Sequence, residues 1–363
     1  MGSQRLIQRP ALLPFTLFYG VAVLLRNWLF DFRILSSKRF KIPVISVGNI
    51  TVGGTGKTPH VEYLVQLLKD DFRVAVLSRG YKRETSDFVL ASKNTGIREI
   101  GDEPMQIKLK FPEVPVAVER DRVKGVNKLL KNFHDLEAVI LDDAYQHRSI
   151  QPGLSILLVD YNRPVFRDIL LPAGNLREFR SETKRADIVI VTKCPENLTP
   201  NERHEFISRL HLLQRQEIYF TRYEYGPPLP VFPNKSGTPE SLTYKDLHKS
   251  GTGIMLVTGI ANPDPLKRFL KEITTIREEI SFPDHHNFEK QDIHSIKRTF
   301  NSIDAEEKYI LVTEKDAVRL RETEIGDKSF KKVFFYIPIK VKFLDKGEKP
   351  FSSKIFKYMK KPE

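Results

Sequence analysis

The chain has 363 residues, 40% hydrophobic and 29% charged, which excludes a disordered or low-complexity protein and allows two domains, each with its own core. Its single cysteine, Cys194, excludes an internal disulfide and suits a reducing compartment. The net charge of +13 lies at the ends: residues 1–41 carry seven Arg/Lys against one acid and residues 340–363 eight lysines against three acids, which is eleven of the thirteen.

Nucleic-acid binders carry their basic stripe on the folded domain with stacking aromatics beside it. Here the charge is terminal and mixed with large apolar residues, so no nucleic-acid partner is expected. ALLPFTLFYGVAVLL (11–25) is a 15-residue run flanked by Arg5, Arg9 and Arg26, short of the roughly 20 residues that span a bilayer. It reads as a helix lying in the membrane interface with its arginines reaching towards headgroups. A signal peptide is disfavoured, because Leu24, Leu25, Arg26 and Asn27 stand where small cleavage-site residues belong. A buried core helix is the competing reading.

IPVISVGNI (42–50) is a β-branched strand, and VEYLVQLLKDD (61–71) places Val61, Leu64, Val65 and Leu68 at helical spacing. Between them GNITVGGTGKTP (48–59) is strand, glycine loop and helix start, the context that makes a phosphate-binding loop meaningful. The usual G-x-x-x-x-G-K-[ST] asks for glycine where this chain has Thr51, which makes it a variant loop. Residues Thr51, Val52, Gly53, Gly54, Thr55, Gly56, Lys57 and Thr58 would cradle a nucleotide triphosphate, with Lys57 on the terminal phosphates and Thr58 on magnesium. Pro59 is tolerated in a first helical turn.

Further strand signals follow at 73–81, 114–122, 136–147, 154–161 and 186–193, a pattern of a parallel sheet covered on both faces. Ligands of such sheets collect at the strand C-terminal ends. There LEAVILDD delivers Asp142 and Asp143, which read as a magnesium site or as a helix cap. GDEP (101–104) fixes Asp102, a general-base candidate or an Asx turn. FPDHHNF (282–288) supplies Asp284, His285 and His286, read as a partner to that base, a surface loop or half of a zinc site.

EIYFTRYEYGPPLPVFP and KVFFYIPIKVKF (332–343) alternate in period two and bracket a second strand–helix unit that begins at 253. The expected organisation is an interfacial helix at 1–35, a core domain at 36–222, a smaller α/β domain at 223–342 and a basic tail at 343–363. The two alternating segments form a two-strand connection, and the cleft between the domains takes a second substrate. The tail, SSKIFKYMKK, either adds a second membrane contact or returns to the core.

GNITVGGTGKTP, LSRGY, GDEP, LDDAYQH, LPAGNLREF, TGIANP, FPDHHNF and TEKDAV, in this order over most of the chain, resemble the tetraacyldisaccharide 4′-kinases, the lipid A 4′-kinases of Gram-negative bacteria. Thr51 is similar to what that family carries in its loop. The resemblance implies a P-loop α/β/α core with a parallel sheet and a smaller C-terminal domain joined by two strands. It implies ATP and magnesium as cofactors, and transfer of the γ-phosphate to the 4′-hydroxyl of an acylated disaccharide 1-phosphate. The setting it implies is the cytoplasmic face of the inner membrane, with no obligate protein partner. Under it Asp102 is the general base with His285 as dyad partner, the choice between His285 and His286 resting on motif alignment. Asp142, Asp143 and Thr58 hold magnesium, Glu178 is a further ligand candidate, and Arg122, Arg177 and Glu178 stabilise charge near the transferred phosphate. Ala144 and Tyr145 depart from the family's commoner glycine and phenylalanine. The rival readings are a GTPase or metallochaperone, for which VTK (191–193) is a partial signal spoiled by Pro195, and a membrane scaffold without catalysis.

Overall fold

The computed structural model describes residues 9–233, 242–249 and 251–360; Arg5 and Lys361 lie outside them. A 3₁₀ turn leads into α1 (Leu13–Asp31), which runs on past Leu25. With that turn the segment has 22 residues and is long and apolar enough to cross a membrane by length and composition, so the expectation that it is too short is corrected. Its packing shows how the helix is held. Thr16 accepts from the Ala173 amide (3.0 Å), Tyr19 donates to the Arg177 carbonyl (2.8 Å), Arg26 to the Gln146 carbonyl (2.5 Å), and Asp31 pairs with Arg148 (2.6 Å). One face is therefore pinned to the protein along its length. The other leaves Leu17 69% and Phe18 74% exposed, which is not how a core helix is built.

The chain then folds as β1 (Val44–Gly48), α2 (Lys57–Leu68), β2 (Val74–Ser78), β3 (Val89–Leu90), α3 (Ile97–Ile100), α4 (Asp102–Lys110), β4 (Val116–Val118), α5 (Arg122–Asn132), β5 (Ala138–Asp142), β6 (Leu154–Asp160), β7 (Ile188–Thr192), α6 (Pro200–Leu210) and β8 (Glu217–Tyr225). A second run comprises β9 (Leu229–Pro230), α7 (Tyr244–His248), β10 (Gly253–Thr258), α8 (Asp264–Ile273), β11 (Ile276–Ser281), α9 (Lys290–Ser302), β12 (Lys308–Thr313), α10 (Glu314–Glu322), α11 (Lys328–Lys331) and β13 (Phe334–Ile337). β14 (Ile339–Phe343) and α12 (Glu348–Met359) close the chain.

The larger sheet has the order β14-β8-β7-β6-β1-β5-β2-β4-β3, parallel except at its two edges. Its inner strands are buried throughout, as the continuous apolar runs require when helices cover both faces. β1 lies between β5 and β6, where the winding reverses, so the loops after β1 and β5 open side by side at a switch point. The smaller sheet, β11-β10-β12-β13-β9, sends Ile254 and Leu256 to one core and Met255 and Val257 to the other.

Pro338 divides the 332–343 segment: β13 belongs to the smaller sheet, and β14 pairs antiparallel with β8 on the edge of the larger one. The tail reading is corrected in one respect. Phe351, Ile355 and Met359 of α12 are buried in the larger sheet's core, so the tail's apolar residues are packing and not a membrane contact.

Candidate active site

Thr51 sits in an isolated antiparallel bridge with Leu176, and the Val52 amide donates to the Asn175 carbonyl (2.8 Å). The position that is glycine in the usual motif is here an extended residue, which suits a β-branched side chain. Gly53 and Gly56 have φ of +96° and +91°, and a Cβ on Gly56 would collide with the Tyr223 hydroxyl, so glycine is required there. Lys57 opens α2 with its ammonium 3.5 Å from Asp143, and Thr58 is buried beside it in sequence.

Asp142 ends β5 and accepts from the Ser78 hydroxyl (2.9 Å) through one oxygen, while its other oxygen is buried with no partner. Burial, with Glu103 and Asp143 near, pushes its carboxyl up to about 7. An orphaned carboxylate oxygen behind a phosphate loop is what a divalent cation would satisfy. Asp143, at φ +48°, pairs with Arg177 (3.2 Å) as well as Lys57; burial opposes its ionisation, but these cations hold its carboxyl below the ordinary value.

Two of the expected site residues, Arg122 and Glu178, are fully buried. Arg122 is 0% exposed, and its guanidinium donates to the carbonyls of Glu119 (2.7 Å) and Asp142 (3.1 Å). It braces the aspartate loop through these carbonyls, and its Nε is buried with no partner. Glu178 accepts from Arg185 (2.5 Å) and Gln146 (3.4 Å) through the same oxygen. Among the described residues no three His, Cys, Asp or Glu side chains group to hold a metal. The other Glu178 oxygen is buried with no partner, as one oxygen of Asp142 is, so Glu178 stays beside Asp142, Asp143 and Thr58 among the residues that could hold a metal.

Asp102 begins α4, after Gly101 at φ +89°, where a Cβ would meet the Tyr81 carbonyl at 2.8 Å. One Asp102 oxygen receives His285 Nδ1 (2.8 Å) and the Arg319 guanidinium; the other receives the Glu103 amide (3.0 Å). Burial alone would raise this carboxyl, but His285, Lys315 and Arg319 together hold it well below the usual carboxylate range. Arg319, 3% exposed, also donates to the Gly259 carbonyl (3.0 Å) and Asp316 (3.1 Å). His286 is committed to Asp292 (2.8 Å) and stacks on Phe282, so the geometry selects His285 as the partner of Asp102. No zinc-type cluster forms there.

A family model described as tetraacyldisaccharide-1-P 4′-kinase matches residues 8–360. The chain belongs to that kinase family. It is 46% identical over 353 residues to the tetraacyldisaccharide 4′-kinase of Phocaeicola vulgatus, covering 96% of this chain and 95% of the relative. The Flavobacterium johnsoniae 4′-kinase is 41% identical over 352 residues, with 97% of each covered. Among solved structures, LpxK from Aquifex aeolicus in complex with ATP matches with a TM-score of 0.74 at 30% identity, over 96% of this chain and 98% of that one. The GTPase, metallochaperone and scaffold readings fall away, and the P-loop α/β fold class stands.

Sequence reasoning missed Arg319, Lys315 and Glu103. Lys315 pairs with Glu103 (2.6 Å), so α10 grips the first turn of α4 through Lys315 and Arg319. The signal was present in TEKDAVR, where the two cations stand four residues apart and share a helical face.

Proposed function

We propose that this kinase transfers the γ-phosphate of ATP to the 4′-hydroxyl of a tetraacylated disaccharide 1-phosphate in lipid A synthesis. The observation that carries the residue roles is the pairing of a lysine-tipped phosphate loop and two aspartates on one side of a cleft with an Asp–His pair on the other. The two sheets are read as two domains with the acceptor entering between them, the boundaries near 36, 223 and 343. Residues 51–58 bind the triphosphate, Lys57 neutralises its terminal charge, and Arg177 offers a second, half-exposed cation. Asp142, Asp143 and Thr58 would hold a magnesium ion, which when bound neutralises phosphate charge.

Asp102 accepts from three donors and its carboxyl is held well below the usual carboxylate range, which makes it a poor proton acceptor by itself. It orients His285 through Nδ1 and stabilises the imidazolium that forms, which leaves Nε2 to take the hydroxyl proton. The dyad is therefore one unit in which His285 receives and Asp102 holds.

The acceptor's acyl chains bring the reaction to a membrane surface, since each buried CH₂ holds it there by about 0.8 kcal/mol. The exposed apolar face of α1 supports docking in the interface, on the cytoplasmic side of the inner membrane, where ATP is. Incubation of the full chain with ATP, magnesium and the disaccharide 1-phosphate in detergent should add one phosphate to the acceptor; an unmodified acceptor from folded protein would refute the reading. A Leu17→Asp/Phe18→Asp variant should keep its ATP affinity, lose binding to anionic vesicles and raise the acceptor KM several-fold. Unchanged vesicle binding would remove α1 as the anchor.

A further inference from the structure

Lys193, whose TK pair resembled a guanine-reading motif and found no use in the reading above, has a specific place beside the phosphate loop. It follows β7 in a left-handed conformation, φ +56°, uncommon for a side chain of its kind. Its ammonium donates to the Gly54 carbonyl and to Asp160 (2.7 Å), an aspartate 4% exposed at the end of β6. The next carbonyl, Thr55, receives the Thr192 hydroxyl (2.8 Å) in a buried bond. The one after, Gly56, faces His60 Nδ1 (2.8 Å); a carbonyl only accepts, so Nδ1 carries the proton and Nε2 accepts from Thr221 (3.1 Å). Before them, Gly53 is reached by Asn49 Nδ2 (3.5 Å), which also bonds the Thr55 hydroxyl (2.7 Å).

Three consecutive loop carbonyls, those of Gly54, Thr55 and Gly56, are thus held from outside by side chains at the end of β7 and in the first turn of α2. In a trans peptide the carbonyl and the following N–H point in opposite directions. Fixing carbonyls 54–56 outward therefore turns the amides of Thr55, Gly56 and Lys57 inward, and that of Thr55 closes on the Gly53 carbonyl (3.0 Å). The amides of Gly56 and Lys57 have no acceptor among the described residues. They are the donors an anion at this loop would meet.

We infer that Lys193, seconded by Thr192, is a positioning residue for the ATP triphosphate: it sets the loop's peptide planes from behind and does not itself touch the phosphates. The inference rests on residues 51–58 being the triphosphate site. Preorganisation of this kind acts on nucleotide affinity and leaves acceptor binding alone.

The test measures ATP dissociation by equilibrium dialysis, with kcat, both KM values and the thermal midpoint, on the full chain with magnesium. Lys193→Met should weaken ATP binding about tenfold, as expected for one lost charged hydrogen bond. The acceptor KM should not move, and Lys193→Arg should recover most of the affinity. The double variant Lys193→Met/Asp160→Asn, which removes the stranded carboxylate, should show the same loss of ATP affinity with a near-normal midpoint. ATP affinity of the double variant within about twofold of the unsubstituted chain overturns the inference. So does a uniform loss, in which the acceptor KM and midpoint shift alongside ATP and Lys193→Arg restores nothing. Lys57→Ala is run in parallel: turnover retained there refutes the loop as the phosphate site, whereas turnover lost there with Lys193→Met unaffected refutes the positioning role alone.

Discussion

The phosphate side of the cleft draws Lys57, Asp142, Asp143 and Arg177 from loops of one sheet, whereas the proton-accepting side joins Asp102 of that sheet to His285 and Arg319 of the other. On the first side, strand ends that are neighbours in a parallel ladder fix the geometry, with Val47 registered against Asp142. On the second, contacts between residues some two hundred positions apart fix it, at the interface of α10 with α4. A site on a continuous sheet is rigid as long as the sheet is folded. A site shared between two sheets is complete only when they are docked, so its chemistry is tied to their relative position.

The largest effect expected comes from the rigid side. Lys57→Ala should reduce kcat by about 10³ or more at saturating ATP, because the ammonium neutralises charge as the phosphoryl group moves. Its side chain borders the cleft and is not core packing, so the thermal midpoint should change little. Steady-state kinetics with a melting curve checks both, and near-normal turnover would dissolve the distinction between the two sides.

Next is the shared side. Asp102→Ala and His285→Ala should each lower kcat by about 10² to 10⁴, with ATP affinity retained. The double variant should cost far less than the product of the two, since a proton acceptor and its orienting partner act as a unit. Strictly multiplicative losses would mean that the 2.8 Å contact between them carries no catalytic coupling.

These two sides were also unequally legible. The loop, the aspartates and the parallel sheet showed in local pattern, because a β-branched strand, glycines and a helix start are consecutive in sequence. Asp102 and His285 were found by motif, but the choice of His285 over His286 needed the φ of +62° at His285 and the capture of His286 by Asp292. The partners of Arg122 and Glu178 were not legible because sequence reports charge and not direction: the guanidinium of the one bonds the Asp142 carbonyl and the carboxylate of the other pairs with Arg185. The apolar helix was read as too short because Arg26, taken as the limit of an apolar run, sits within it and bonds the Gln146 carbonyl.

A third, smaller effect sharpens the comparison through Arg319→Lys. An ammonium cannot reach Asp102, Asp316 and the Gly259 carbonyl together as the planar guanidinium does. Turnover should fall about tenfold, consistent with one weakened charge-assisted hydrogen bond in the dyad. The stability effect has a defined sign. The Asp102 carboxyl lies below its unfolded value in the folded protein, so its contribution is present above about pH 4 and is lost as pH falls through the depressed folded value. The gap in thermal midpoint between Arg319→Lys and the unsubstituted chain should therefore be full at pH 7 and narrow only in strong acid. A gap independent of pH would assign the effect to the bond to the Gly259 carbonyl instead.

The smallest effect tests the contact of the two sheets beside the dyad. Lys315 pairs with Glu103 beside Asp102, and both side chains remain partly exposed, at 30% and 24%. Such a pair contributes about 0.2–1 kcal/mol, and salt screens it within about 8–10 Å. Lys315→Met should then lower kcat/KM for the acceptor by less than about fivefold, the upper end of that energy range. The loss should shrink as salt rises, because screening already weakens the pair in the unsubstituted chain. ATP affinity should be unchanged, since the loop belongs wholly to the other side. A loss that extends equally to ATP would show that docking of the smaller sheet also shapes the phosphate loop, and the two sides would have to be treated as one mechanical unit.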